Sequence, residues 1–222
     1  MNTHPGVIGR KLGMTQVFAE DGSVIPCTVV ESRVVVVAKR TQEKDGYSAL
    51  VLGLNDRKEK HTKKPLAGFY KKASVAPKRF LREIRCAADV VAGYEVGQEL
   101  KLDSVFQEGQ FVDVCGMTRG RGFTGVMRLY NFAGQVTTHG THEYKRHGGS
   151  IGTNMTPGRV MPGKKMGGQY GNERVTKLNQ RVVKVLADES LVFIAGGIPG
   201  ARNSLVYVRG AVKRRGGVSA AK

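Results

Sequence analysis

Apolar residues in this chain alternate with polar ones or gather in short runs four to eight residues long, the spacing of strands rather than helices. Residues 14–18 and 24–30 flank Ala-Glu-Asp-Gly-Ser, where Asp21-Gly22 predicts a hairpin turn. Residues 33–39, with four consecutive valines, and 47–54 flank Glu-Lys-Asp-Gly. Further strands are expected at 111–115, after the Glu108-Gly109 turn, at 181–186 and 191–194 around Asp188-Glu189-Ser190, and at 205–209. Valine dominates these runs, as β-branched side chains suit a pleated surface. One helix is expected at 65–73: Leu66, Phe69, Tyr70 and Ala73 fall on one face, Lys71 and Lys72 face away, and Pro65 suits a first turn. Many short strands with tight turns predict a mainly β fold, a small closed barrel that removes exposed edges, with a sandwich as the alternative. A helix-containing insertion at about 55–92 would interrupt it.

The pattern fails between residues 116 and 175. These 60 residues hold 14 of the 30 glycines, and only Val126, Leu129, Val136, Ile151, Val160 and Val175 offer aliphatic burial. Glycine-rich backbone is costly to order, and so long a segment without a core is expected to be functional or disordered. Nine basic residues face two acidic ones, Glu143 and Glu173. A partner dense in negative charge would order such a segment. The whole chain points the same way, with 36 basic and 18 acidic residues and a net charge of +18, the footprint of a polyanion binder. Residues 55–82 add ten basic residues against Asp56 and Glu59, read either as a solvated face or as a second phosphate-contacting patch. The basic tail at 210–222 is expected to be disordered without a polyanion.

Membrane and secretory classes find no support: no apolar run reaches the ~18–20 residues of a span, and the N-terminus lacks a signal-like apolar region. Cys27, Cys86 and Cys115 are isolated, as expected for reduced thiols in a cytosolic protein.

Two glycine motifs suggest nucleotide binding and fail on context. Gly120-Arg-Gly122-Phe-Thr-Gly125 has dinucleotide spacing, but residues 126–132 run directly into Ala-Gly-Gln, too short for the helix such a site needs. Gly158 to Lys165 follows a phosphate-loop pattern until Lys165 stands where a magnesium-binding hydroxyl is required, and Met-Gly-Gly follows where a helix should start. What remains is glycine backbone able to approach phosphate closely beside neutralising Arg and Lys. His139, His142 and His147 lie beside Lys145 and Arg146, which would repel a metal ion, so contacts to RNA suit them better. The region offers neither a nucleophile beside a base nor paired carboxylates. No enzyme activity, cofactor or small-molecule substrate is expected, and Asn154-Met-Thr156 is a sequon without a secretory context.

The run FVDVCGMTRGRGFTGVMR at 111–128 resembles the signature of the universal large-subunit ribosomal protein L-three family, in its bacterial or organellar form. GRKLGMT at 9–15, GSIG at 149–152, TPGR at 156–159, GKKMGGQYGNERVT at 163–176 and GIPGA at 197–201 complete the resemblance, in order, over essentially the whole chain. The resemblance implies a translation-factor-type barrel and a long extension threaded through ribosomal RNA towards the peptidyl transferase centre. It implies binding near the 3′ end of the large-subunit RNA, an early role in assembly, other large-subunit proteins as neighbours, and a cytoplasmic location in the ribosome. In that family a glutamine at the extension's tip is methylated in some bacteria. Met155 stands at the matching position and cannot accept that group.

The expected RNA contacts are Lys11, Arg119, Arg121, Arg128, Lys145, Arg146, Arg159, Lys164, Lys165 and Arg174 at phosphates, with His139, His142, His147, Gln169 and Asn172 at sugars or bases. Neutralising roughly ten phosphates would give a log–log salt slope of about −7 to −9. The competing readings are an RNA-modifying or nucleotide-using enzyme and an RNA-binding module acting outside the ribosome. Saturable nucleotide binding would favour the first and ribosome-free localisation the second.

Overall fold

The computed structural model describes residues 6–214. The protein is mainly β, and the chain falls into two compact units. One comprises the residues up to Met117 together with those from Arg174 onward; the other is Thr118–Glu173, whose limits lie within two residues of the glycine-rich segment.

The first unit carries two sheets. Strands β1 (Val7–Phe18), β2 (Val24–Glu31), β7 (Phe111–Met117), β10 (Arg174–Leu186), β11 (Leu191–Ala195) and β12 (Leu205–Gly210) pair antiparallel in the order β1-β12-β7-β10-β11-β2 and close into a barrel. The remaining strands of this unit, β3 (Val34–Arg40), β4 (Ala49–Asp56), β5 (Lys78–Arg85) and β6 (Glu99–Leu100), form a second sheet in the order β5-β4-β3-β6. The hairpin built around the valine run therefore does not enter the barrel. Its strand β4 is buried at every position from Ala49 to Leu54, which a central strand covered on both faces requires.

The barrel interior follows the period-two rule. Val112 and Val114 on β7, Val206 and Val208 on β12, Val192 and Ile194 on β11 all lie at or below 1% exposure. They join Leu50, Leu52, Leu54 and Ile84 of the second sheet in one hydrophobic cluster. Each fully buried Val, Leu or Ile contributes roughly 1.5–3 kcal/mol of burial.

The Asp21-Gly22 hairpin forms as its sequence requires. Gly22 adopts φ 78°, open only to glycine at little cost, and Asp21 accepts hydrogen bonds from the Ser23 amide and hydroxyl. The predicted helix spans Lys64–Lys72, with Tyr70 buried and its hydroxyl donating to the Lys78 carbonyl. Strand β5 escapes the pattern analysis because Lys-Arg-Phe-Leu-Arg-Glu-Ile-Arg carries five charges in eight residues. Those charges suit its place at a sheet edge, where they discourage pairing with other chains. Strand β10 starts seven residues before the expected position, since its polar first half pairs with β7 while remaining exposed.

Of the C-terminal tail, Ala211 is buried and the Arg214 guanidinium stands 4.7 Å from the Phe111 ring centre. The expectation of disorder for the rest concerns residues 215–222, outside the described residues. Among the described residues no helix is long and apolar enough to cross a membrane.

Candidate nucleic-acid interface

The second unit is built on a few short elements. Strands β8 (Gly122–Thr124) and β9 (Gly168–Tyr170) pair antiparallel, setting Phe123 opposite Gln169 and Gly122 opposite Tyr170. At the base of this ribbon the Thr118 amide donates to the Glu173 carbonyl at 2.9 Å and the Arg121 amide to the Tyr170 carbonyl at 2.8 Å. Gly171 has φ 72°, and a Cβ there would overlap the Arg119 carbonyl, so this crossing accepts only glycine.

The strand β8 leads into a five-residue helix, Val126–Tyr130, that ends at Asn131 in the left-handed conformation. The dinucleotide pattern at 120–125 therefore opens neither a long helix nor a parallel sheet. The phosphate-loop pattern at 158–165 closes in a turn, with the Lys164 amide donating to Met161, and no helix follows.

Burial in this unit is sparse. Val126 is its one buried aliphatic among the described residues, and a Cβ at Gly148 would lie 3.1 Å from its side chain. The scarcity of aliphatic side chains in the sequence has this direct consequence.

Charge and exposed apolar surface occupy the rest. Arg119, Arg121, Arg128, Lys145, Arg146, Arg159, Lys164 and Lys165 are all exposed, as are His139, His142, His147, Gln169 and Asn172. None of the ion pairs among the described residues involves this unit. Eight cationic side chains therefore remain unneutralised by carboxylates.

Aromatic rings lie among them. Phe123 is 81% exposed and Tyr144 66%. The Arg121 guanidinium stands 4.9 Å from the centre of the Tyr170 ring, and the Lys165 ammonium 5.5 Å from that of Tyr130. Tyr144 and His147 meet edge to face at 4.8 Å. Sequence reasoning singled out the basic residues and histidines but passed over Phe123, Tyr130, Tyr144 and Tyr170. Their interleaving with Arg and Lys was the available signal, because cations and ring faces together bind unpaired nucleic acid.

The three histidines do not converge on a metal: among the described residues no group of three or more His, Cys, Asp or Glu is arranged to hold one. His139 and His142 both take positive φ, at 57° and 43°, in the turn around the single-turn helix His142–Arg146. Met155 is 87% exposed.

Two expected contacts lie in the first unit and differ from the rest. Lys11 is buried, and its ammonium donates to the carbonyls of Ile198 at 2.8 Å and Gly200 at 3.1 Å. It ties β1 to the loop between β11 and β12 instead of presenting its charge to solvent. Arg174 opens β10, and its Nε donates to the Cys115 Sγ at 3.0 Å, a contact that pushes its already high pKa further up. It borders a cleft of about 900 Å³ that also receives Arg82, Arg85, Tyr207 and Arg209. Lys63, Lys64, Lys71 and Lys72 of the 55–82 span are exposed around the helix Lys64–Lys72, whereas Lys78 is half-buried and paired with Asp56 at 2.6 Å.

The chain is similar to known proteins over nearly its full length. The family model described as Ribosomal protein L3 matches residues 86–190. A protein of Sorangium cellulosum named large ribosomal subunit protein uL3 is 59% identical over 217 residues, covering 98% of this chain and 94% of its own. Proteins of the same name from Myxococcus xanthus and Brachyspira hyodysenteriae are 48% and 49% identical, covering 94% and 95% of this chain and 93% and 95% of their own. With identity this high over nearly the full length of both chains, the protein belongs to the ribosomal protein L3 family, whose members are structural ribosomal proteins rather than enzymes.

Proposed function

We propose that this protein is a structural constituent of the large ribosomal subunit that binds ribosomal RNA chiefly through Thr118–Glu173. The observation that carries the reading is the charge of that unit: eight exposed cationic side chains, free of carboxylate partners, set among exposed aromatic rings. Arg and Lys neutralise phosphates and release counterions, while Phe123 and Tyr144 offer faces on which unpaired bases stack. Family membership supports the location in a cytoplasmic ribonucleoprotein serving translation, with neighbouring large-subunit proteins as further partners.

The finer reading follows the family. The six-stranded barrel is of the translation-factor type, and the second unit is an extension that orders on RNA and reaches towards the peptidyl transferase centre. Binding lies near the 3′ end of the large-subunit RNA and supports early assembly. The tip carries no methylated glutamine, because Met155 occupies that position.

Hydroxyl-radical footprinting of large-subunit RNA with the full chain tests this reading. Protection is expected near the RNA 3′ end and close to the catalytic centre, the latter lost when residues 118–173 are replaced by a short linker. Protection that is unchanged by that replacement would remove the second unit from the interface.

A further inference from the structure

The hairpin formed by β1 and β2 outruns the barrel that contains it. Strand β1 pairs with β12 through Val7–Arg10 and β2 pairs with β11 from Cys27 to Glu31. Between Gln16 and Pro26 the two strands pair with each other and with no further strand among the described residues. A two-stranded ribbon is at best marginally stable in water alone.

One face of this ribbon is apolar and open. Phe18 pairs opposite Val24 and Gln16 opposite Pro26. With Met14, they alternate onto one side, where Phe18 is 67%, Met14 58% and Val24 50% exposed. Neighbouring exposed apolar side chains of this kind mark interaction sites rather than random surface.

The charge of the ribbon is the opposite of the rest of the protein. With 36 basic residues in 222, the chain has none between Lys11 and Arg33, yet it places Glu20, Asp21 and Glu31 there. Glu31 is paired with Arg10 at 2.7 Å, whereas no ion pair among the described residues involves Glu20 or Asp21. Asp21 is fixed at the turn by its bonds to Ser23. An RNA surface would be repelled by the carboxylates at this tip.

We propose that the ribbon between Gly13 and Pro26 is a protein-docking arm. It receives a lysine- and arginine-rich segment of another ribosomal protein, whose apolar side chains cover Met14, Phe18 and Val24 and whose cations meet Glu20 and Asp21. The inference rests on the proposed place of the chain in the large subunit. The ribbon therefore divides labour with Thr118–Glu173: one acidic-apolar surface for protein, one cationic surface for RNA.

The test places the photo-cross-linker benzoylphenylalanine at position 18 of the full chain and irradiates large subunits purified by sedimentation. The expected adduct joins the ribbon to a protein, at a peptide with more Lys and Arg than Asp and Glu. Its yield falls by about five-fold or more when Glu20→Lys and Asp21→Lys are added, as like charges meet. An adduct on RNA, an adduct indifferent to charge reversal, or no adduct in subunits that contain the chain overturns the docking arm alone. A chain absent from the subunit fraction overturns the proposed function and the arm with it.

Discussion

Asp113 holds Asn179 across the β7–β10 pair: its carboxylate accepts the Asn179 amide at 3.0 Å, where β10 bulges between Lys177 and Gln180. The second oxygen accepts the Val212 amide at 3.2 Å, beyond the end of β12. One carboxylate with no exposed surface thus satisfies two backbone donors that barrel pairing leaves open.

Replacing it should expose that dependence. Asp113→Ala is expected to cost about 2–4 kcal/mol, because two part-buried backbone amides lose their buried acceptor. Asp113→Asn should cost less, since its carbonyl oxygen retains one of the bonds. Urea denaturation of the two variants checks the ranking.

Lys11 should behave as a barrel residue and not as an RNA contact. Lys11→Met removes the ammonium from the carbonyls of Ile198 and Gly200 and is expected to destabilise the fold by about 1–3 kcal/mol. The salt dependence of RNA binding should not change. Denaturation and a salt titration of binding, run on the same variant, separate the two effects.

The exposed cations of the second unit should give the reverse result. Combining Arg159→Ala, Lys164→Ala and Lys165→Ala should make the log–log salt slope shallower by about 2. Stability should stay within about 0.5 kcal/mol per substitution, as these side chains are exposed. Filter binding at several salt concentrations is the direct measurement.

Phe123→Ala should weaken RNA binding by about 1–3 kcal/mol with little change in the salt slope, because a stacking face is lost and no charge is. Competition binding against the unaltered chain reads that difference.

Much of this was legible in the sequence, for identifiable reasons. The hairpin at Asp21-Gly22, the helix around Tyr70 and the valine strands of the barrel follow local rules of turn chemistry and period. Glycine and charge replace aliphatic residues over the stretch that holds the second unit. The second sheet was not legible beyond its β3–β4 pair, since nothing local to residues 34–56 says that they leave the barrel to pair with β5 and β6, and β5 hides Phe80 and Ile84 among charges. The surroundings of Lys11 were not legible for a related reason. Nothing near a basic residue at position 11 tells that the backbone carbonyls of Ile198 and Gly200, nearly 190 residues away, are brought to it. The aromatic faces at Phe123 and Tyr144 went unremarked because exposure is a property of the fold and not of the residue type.

The central claim is that the chain is an integral part of the large subunit held by its glycine-rich unit. Sedimentation of a cell lysate on a sucrose gradient, at low salt and after a high-salt wash, tests it most directly. The full chain should stay with the large subunit through the wash, while a variant with residues 118–173 replaced by a short linker should be released. A full chain that runs free at the top of the gradient, or that washes off as readily as the shortened variant, would contradict the account.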